Sequence, residues 1–359
     1  MSEGLQTAVV GVTGYSGAEL ARLLVHHPRL AGKAPVFAGR IDAKDEARGG
    51  LPLGEIHPEL RDSRGTGAGT GSLRVQPFSW ERLEDLGVEV VFLATPHEMS
   101  REAVPEARKR GIRVIDLSGA WRLEEASNRA VYAFEDEGSA SALAMQAEAV
   151  YGMPELHRDA IRGAGLVANP GCYATSVILA LKPLIAAGLV DVEHGIISDS
   201  KSGVSGAGKS PTAKTHYMYA ADNLSAYGVF SHRHTGELIE QLGIDSESIT
   251  FTPHLLPIPR GILSTIYVRF REKQTTAVIE ACYAKYYAGS PMVRLYGTTL
   301  PQIQYSVKTN YADIGFNLAK DGKRAVIVSC LDNLLKGAAG QAVQNLNVMQ
   351  GWGEAEGLE

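Results

Sequence analysis

Cysteine is scarce: Cys172, Cys282 and Cys330 are the only three thiols in 359 residues. An odd, widely spaced set excludes a disulfide framework and a cysteine-built zinc site. Long apolar runs are also missing. None approaches the ~20 residues that cross a bilayer, so no membrane partner is expected. Neither charge sign dominates: 35 Lys+Arg against 40 Asp+Glu give a formal net charge of −5, with the signs interleaved. No nucleic-acid partner is therefore expected. The opening residues Met1 to Gln6 carry neither the basic nor the apolar region of a signal peptide, and a cytoplasmic location is expected. Repeats and heptads are absent, and the one biased stretch, the Gly, Ser and Thr-rich 61–72, reads as a mobile surface loop.

What is present is an α/β pattern long enough for two domains. Residues 7–12, 33–38, 88–94 and 113–117 read as strands, with helical segments at 18–26 and around 105–110. Such alternation over the first ~150 residues argues for a doubly wound parallel sheet of Rossmann type. After residue 172 the character changes. Stretches 195–200, 250–251, 262–270, 302–307 and 324–330 read as strands of a second, mainly antiparallel sheet in an α+β domain. Residues 333–349 read as one long apolar-faced helix returning to the first domain. The boundaries expected are 1–168 completed by 331–359, and 169–330.

Gly11-Val12-Thr13-Gly14-Tyr15-Ser16-Gly17 follows the first strand and opens a helix. Glycine there permits a tight turn and close approach to a pyrophosphate resting on the helix N-terminus. The second strand ends at Gly39-Arg40, where an acidic residue would suit a free ribose hydroxyl and a guanidinium suits a 2′-phosphate. Arg40 thus favours NADP, with Asp42 two residues on as the competing feature.

Asn169-Pro170-Gly171-Cys172-Tyr173-Ala174-Thr175 seats a cysteine in the first turn of a helix whose apolar positions run through Val177, Ile178, Leu181 and Leu184. Unpaired amides and the helix dipole there favour a thiolate, hence a nucleophile. The alternative is a small buried side chain, the commoner fate of cysteine.

Gly203-Val204-Ser205-Gly206-Ala207-Gly208-Lys209-Ser210 matches the P-loop pattern literally. The following Pro211-Thr212-Ala213-Lys214-Thr215-His216 has no apolar helical face, however, so a run of amides forming an anion nest is the favoured reading over an NTPase. His232-Arg233-His234 supplies two imidazoles that can move protons near neutral pH. In an extended segment both would enter one cleft and Arg233 would point away; a helix start would admit only one. No metal is expected, because no carboxylate or cysteine stands at ligand spacing. Arg260, on the proline-rich 251–261 connection, reads as an anion contact and His254 as structural. Asp332-Asn333 followed by small residues to Gly340 suits close approach to a cofactor or tight helix packing.

Together the stretches GVTGYSGAELARLL, DLSGAWRL, YGMPEL, NPGCYAT, SKSGVSGAGK, AYGVFSHRHTGELIEQL, PHLLPIPRGIL and DNLLKGAAGQAVQN resemble the N-acetyl-gamma-glutamyl-phosphate reductase family, within the aspartate-semialdehyde and glyceraldehyde-phosphate dehydrogenase group. The resemblance implies NADPH-dependent reduction of a small-molecule acyl phosphate through a cysteine thioester, in a homodimer or homotetramer. It implies Cys172 as nucleophile, His234 as acid/base and His232 as a further catalytic or substrate contact, the split between the two histidines staying open. It also implies cofactor contacts at Gly11, Thr13, Gly14, Tyr15, Ser16, Gly17, Arg40, Pro96, Ser118, Gly206 and Asn333. Substrate contacts are implied at Asn169, Ser202, Ser205, Lys209, His232 and Arg260. Ser210-Pro211-Thr212 and Gly119-Ala120-Trp121 depart from the family pattern. A carrier-protein-linked aminoadipyl phosphate reductase shares these motifs and is the nearest alternative. Aspartate-semialdehyde dehydrogenase differs at the nucleophile motif, and a non-enzymatic NADP sensor leaves Cys172 without a task.

Overall fold

A computed structural model describes residues 4–61 and 70–359. Most of the loop expected at 61–72 lies outside the described residues; Thr70–Ser72 form a single 3-10 turn. Contacts divide the chain into two compact units: Met1–Arg122, Asp136–Asn169 and Ala339–Glu359 in the first, Leu123–Glu135 and Pro170–Ala338 in the second. Residues 123–135 and 331–338 therefore group with the second unit rather than the first. Among the described residues no helix is long and apolar enough to cross a membrane.

The first unit holds strands β1 (Thr7–Val10), β2 (Val36–Ala38), β3 (Leu51–Pro52), β4 (Arg74–Gln76), β5 (Val90–Leu93), β6 (Arg113–Asp116), β7 (Ala149–Tyr151) and β8 (Leu166–Ala168). Their order in one eight-stranded sheet is β3-β4-β2-β1-β5-β6-β8-β7. Every pair is parallel except β3–β4. β1 and β5 are buried throughout and, Thr7 apart, apolar, as strands covered on both faces are. Helices α1 (Tyr15–Val25) and α2 (His97–Lys109) follow β1 and β5. Because β2 lies on one side of β1 and β5 on the other, the winding reverses between β1 and β5. Doubly wound sheets bind ligands at that point, beyond the carboxyl ends of the strands.

The second unit holds β9 (Ile196–Gly203), β10 (Ser225–Ala226), β11 (Ile249–Leu256), β12 (Ile262–Arg269), β13 (Val293–Gly297), β14 (Ala312–Leu318) and β15 (Arg324–Leu331). The seven-stranded sheet runs β10-β11-β9-β12-β15-β14-β13. β9–β11 and β13–β14 are parallel and the other pairs antiparallel, so the sheet is mixed. Helix α3 (Cys172–Ala186) packs on one face. A buried serine network pins it there, with Ser176 Oγ 2.9 Å from Ser264 Oγ and Ser264 Oγ accepting from Ser200 Oγ at 2.8 Å. From outside, the Tyr283 hydroxyl donates to the Ala180 carbonyl at 2.6 Å, tying α3 to a helix over Thr276–Tyr286. The helix that presents the thiol is thus held on two sides.

Two sequence expectations are corrected. Residues 302–307 form a helical turn, Ile303–Ser306, not a strand: Ile303 packs against Gly261 and Ser306 Oγ donates to the buried Asp313 at 2.6 Å. Residues 333–349 are not one regular helix. A wider turn at Leu335–Ala339 precedes a fully buried helix, Gly340–Met349.

Candidate active site

In the first unit the glycine-rich turn is built as dinucleotide sites require. Gly11 has φ +88°, and a Cβ there would lie 2.3 Å from the Ala94 carbonyl oxygen, so the turn from β1 passes against the end of β5. A Cβ on Gly17 would fall 2.6 Å from Val12 Cα, so α1 approaches its own strand as only glycine allows. Gly14 is the N-cap of α1, and no side chain caps that helix. Buried His57 steadies the turn, its Nε2 2.8 Å from the Val12 carbonyl. Thr13, Tyr15 and Ser16 lie in this turn. Arg40, Pro96 and Ser118 follow the ends of β2, β5 and β6, so the sheet gathers these expected cofactor residues along one edge.

Two side chains that sequence reasoning missed organise that edge. Asp116 is fully buried, accepting from Ser100 Oγ at 2.9 Å and from Ser118 Oγ at 2.7 Å; Ser100 Oγ is in turn 2.9 Å from Thr95 Oγ1. Burial pushes the Asp116 carboxyl above its ordinary range. Arg40 is exposed and has no ion-pair partner among the described residues. Asp42, its competitor, caps the next helix by accepting from the Asp45 amide at 2.8 Å.

The second unit carries the thiol. Cys172 opens α3 behind the N-cap Gly171, with no side-chain cap. Gly337 explains the small residues after Asp332, since a Cβ there would lie 2.7 Å from Cys172 Cβ: the tight packing is against the thiol residue itself. Helix α4 (His234–Leu242) brings a second group. Buried His234 lies so close to Gly171 that a Cβ on that glycine would be 2.4 Å from His234 Nε2. One turn later on the same helix face, fully buried Glu237 accepts the Gly171 amide at 2.9 Å, with its other oxygen 4.0 Å from His234 Nε2. The residue before the nucleophile candidate is thereby locked to the helix that carries the imidazole. Glu237 was legible as His-x-x-Glu at helical spacing, but only once a helix was known to start at His234.

His232 sits with its ring centroid 4.7 Å from that of His234, among Tyr173, Tyr227 and Phe251. Burial, and then the Arg233 charge, lower its pKa to about 4. Its Nδ1 accepts the His234 amide at 3.1 Å, so the neutral ring carries its proton on Nε2. It is a hydrogen-bond donor at neutral pH. Tyr173, beside the thiol, donates to the His254 carbonyl at 2.7 Å, and burial raises the pKa of its phenol.

Cys172, Tyr173, Ser202, Gly206, Tyr227, His232 and His234 line one cavity of about 520 Å³ on this unit. Arg233 lines it too. Although a helix starts at His234, both histidines enter. Val131 arrives from the separate segment 123–135, anchored to α4 where Glu240 accepts from the Glu124 amide and Asn128 Nδ2, both at 2.8 Å.

Four expected substrate residues are not among those lining the cavity. Asn169 is fully buried in the first unit, its side-chain oxygen accepting from Asn345 at 3.0 Å. Arg260 is paired with buried Asp332 at 2.9 Å. Ser205 Oγ accepts from Asn333 Nδ2 at 2.9 Å, while the Asn333 oxygen accepts the Gly261 amide at 2.7 Å. Lys209 is exposed outside the cavity.

The P-loop reading is overturned. No α-helix opens at Lys209, and Ala213–Thr215 is a short 3-10 turn. Three amides of the expected anion nest are engaged, those of Gly203, Val204 and Ser205 donating to the carbonyls of Gly261, Ile258 and Pro259 at 2.9, 2.9 and 3.2 Å. Among the described residues no group of three or more His, Cys, Asp or Glu could hold a metal ion.

Glu237→Ala is expected to cost about 1–3 kcal/mol of stability by stranding the buried Gly171 amide, measured by denaturant unfolding.

Comparison with known proteins fits this arrangement. Residues 6–164 match the semialdehyde dehydrogenase NAD binding domain and 172–333 the semialdehyde dehydrogenase dimerisation domain. N-acetyl-gamma-glutamyl-phosphate reductases of Geobacter sulfurreducens and Desulforapulum autotrophicum are 42% and 40% identical, each alignment covering 99% of this chain and 98% of theirs. The reductase of Methanocaldococcus jannaschii is 39% identical over 98% of this chain and 97% of its own. Among solved structures, aspartate semialdehyde dehydrogenase II of Vibrio cholerae superposes with TM-score 0.68 at 18% identity, over 97% of this chain and 99% of that one. The Candida albicans enzyme solved with NADP gives TM-score 0.67 at 14% identity, over 98% and 99%. The fold is that of a two-domain semialdehyde dehydrogenase using a nicotinamide dinucleotide, and the chain belongs to the N-acetyl-gamma-glutamyl-phosphate reductase family.

Proposed function

We propose that this chain reduces N-acetyl-gamma-glutamyl phosphate to the corresponding semialdehyde, releasing phosphate, with NADPH as reductant, a step of arginine biosynthesis. One observation carries the reading: a helix-start thiol and a buried imidazole are fixed to the same glycine and share one cavity.

The first unit fits a dinucleotide. The glycine turn brings α1 tightly onto β1, and no side chain caps the α1 N-terminus on which a pyrophosphate would rest. Thr13, Gly14, Tyr15, Ser16 and Gly17 would hold the phosphates, Pro96 and Ser118 the sheet edge beyond, and Arg40 a 2′-phosphate. When bound, the reduced nicotinamide supplies hydride.

The Cys172 thiolate attacks the acyl-phosphate carbonyl, and amides of the first turn of α3 stabilise the oxyanion. His232, a neutral donor, hydrogen-bonds the leaving phosphate or the carbonyl oxygen. The carbon–phosphate oxygen bond breaks and a thioester remains on Cys172. Reduction of that thioester gives a thiohemiacetal, from which the aldehyde departs as His234 moves the proton between the substrate oxygen and sulfur. Glu237 acts as a positioning residue, holding Gly171 against His234. Arg260, Asn333 and Ser205 brace the loops around the cavity.

The test is the reverse reaction: reduction of NADP⁺ by N-acetylglutamate semialdehyde should require inorganic phosphate and Cys172. Turnover that ignores either component contradicts the reading. For the cofactor, Arg40→Ala should raise the Kd for NADPH by ~10- to 100-fold, the worth of one charge-assisted contact, and leave NADH binding nearly unmoved. Fluorescence titration of both cofactors measures it. Assembly as a homodimer or homotetramer is supported by the outward face of the second sheet, where Ile197 and Tyr267 are exposed cross-strand neighbours.

A further inference from the structure

The proposed substrate is anionic at both ends, with a phosphoryl group on the reacting acyl carbon and a carboxylate on the far side. This inference rests on that reading. Few groups in the cavity can meet two anions. His232 is neutral at pH 7, and the amides of Gly203, Val204 and Ser205 are spent. Arg260 faces Asp332, and Lys209 lies outside. The lining holds two basic side chains, Lys214 and Arg233, and no carboxylate. Both are exposed, and neither has an ion-pair partner among the described residues. Two unmatched cations in one concave site, with no acid to neutralise them, form an electrostatic trap for a dianion.

Their positions divide the work. Arg233 lies between His232 and His234 in the chain, and both imidazoles pack on the ring of Tyr173, the residue after the thiol, at centroid distances of 5.7 and 6.1 Å. Arg233 therefore stands at the thiol end, and its planar fork matches phosphate oxygens. Lys214 reaches the same space from the separate turn Ala213–Thr215 and brings a point charge suited to a single carboxylate.

We propose that Arg233 anchors the phosphoryl group and Lys214 the substrate carboxylate, making Lys214 a specificity-determining residue of this chain.

The reverse reaction separates the two anions, because phosphate and semialdehyde are added independently. Arg233→Ala should raise the KM for phosphate by ~10- to 100-fold and move the semialdehyde KM little; Lys214→Ala should do the opposite. Arg233→Lys should recover part of the loss by keeping the charge without the fork. As a readout without turnover, inorganic phosphate should slow alkylation of Cys172 by iodoacetamide in the wild type and in Lys214→Ala, but not in Arg233→Ala. Active variants whose two KM values are unmoved, or move together or in the swapped sense, overturn the assignment while leaving the reductase reading intact. A wild type without phosphate-dependent activity overturns both.

Discussion

Replacing Cys172 with serine will lower turnover by on the order of 10⁴-fold or more, with cofactor binding retained. The sulfur is asked to do two things that a serine oxygen does poorly at neutral pH. It must exist as an anion without a strong base, and it must leave as the thiohemiacetal collapses. The position suits the first, since α3 starts at Cys172 and no side-chain cap occupies its first turn. Losing a covalent nucleophile removes the whole two-step route rather than one contact, which places its loss near the upper end of single-residue effects. The thiol is also packed from behind by Gly337, so Cys172→Ser changes chemistry with little change of volume. Steady-state rates in the reverse direction, with NADPH fluorescence titration on the same samples, make the measurement.

Replacing His234 with alanine will cost ~10²- to 10⁴-fold in kcat, the usual worth of a positioned acid/base. The loss should be clearly larger than that from His232→Ala. The two rings are neighbours, but their surroundings differ. His232 has its pKa lowered to about 4 and its Nδ1 occupied by the His234 amide, so near pH 7 it neither carries nor readily accepts an extra proton. His234 abuts the residue that precedes the thiol and has the Glu237 carboxylate 4.0 Å from its Nε2. If His234 is the proton carrier, the pH profile of kcat should lose one limb in His234→Ala and keep it in His232→Ala. Equal losses with unchanged profiles would assign both rings to binding.

The fold and the chemical groups were legible to different degrees. β1, β5, α1 and the glycine turn could be read because buried parallel strands and a nucleotide turn impose local residue types. So could Cys172, because Pro170-Gly171 before an apolar helix marks a helix start. Residues 302–307 misled because alternating Gln, Ile and Tyr fits a strand as well as one helical turn, and contacts from distant Gly261 and Asp313 decide between them. β14, with its glycine and buried acid, carried too little alternation to be seen. Within the site, Arg260 and Ser205 read as binding groups because sequence shows a charge or a hydroxyl but not the distant Asp332 or Asn333 that engages it. Lys214 and Arg233 were passed over for the same reason: only the folded cavity shows which cations are left unmatched.

In the proposed mechanism the substrate's acyl carbon is carried on Cys172. Incubating the protein with N-acetylglutamate semialdehyde and NADP⁺ in the absence of phosphate, followed by intact-protein and peptide mass spectrometry, tests it directly. One acyl group is expected on the peptide containing Cys172, absent from Cys172→Ser and discharged when phosphate is added. Phosphate-dependent turnover with no adduct at Cys172, or an adduct that persists in Cys172→Ser, would contradict it.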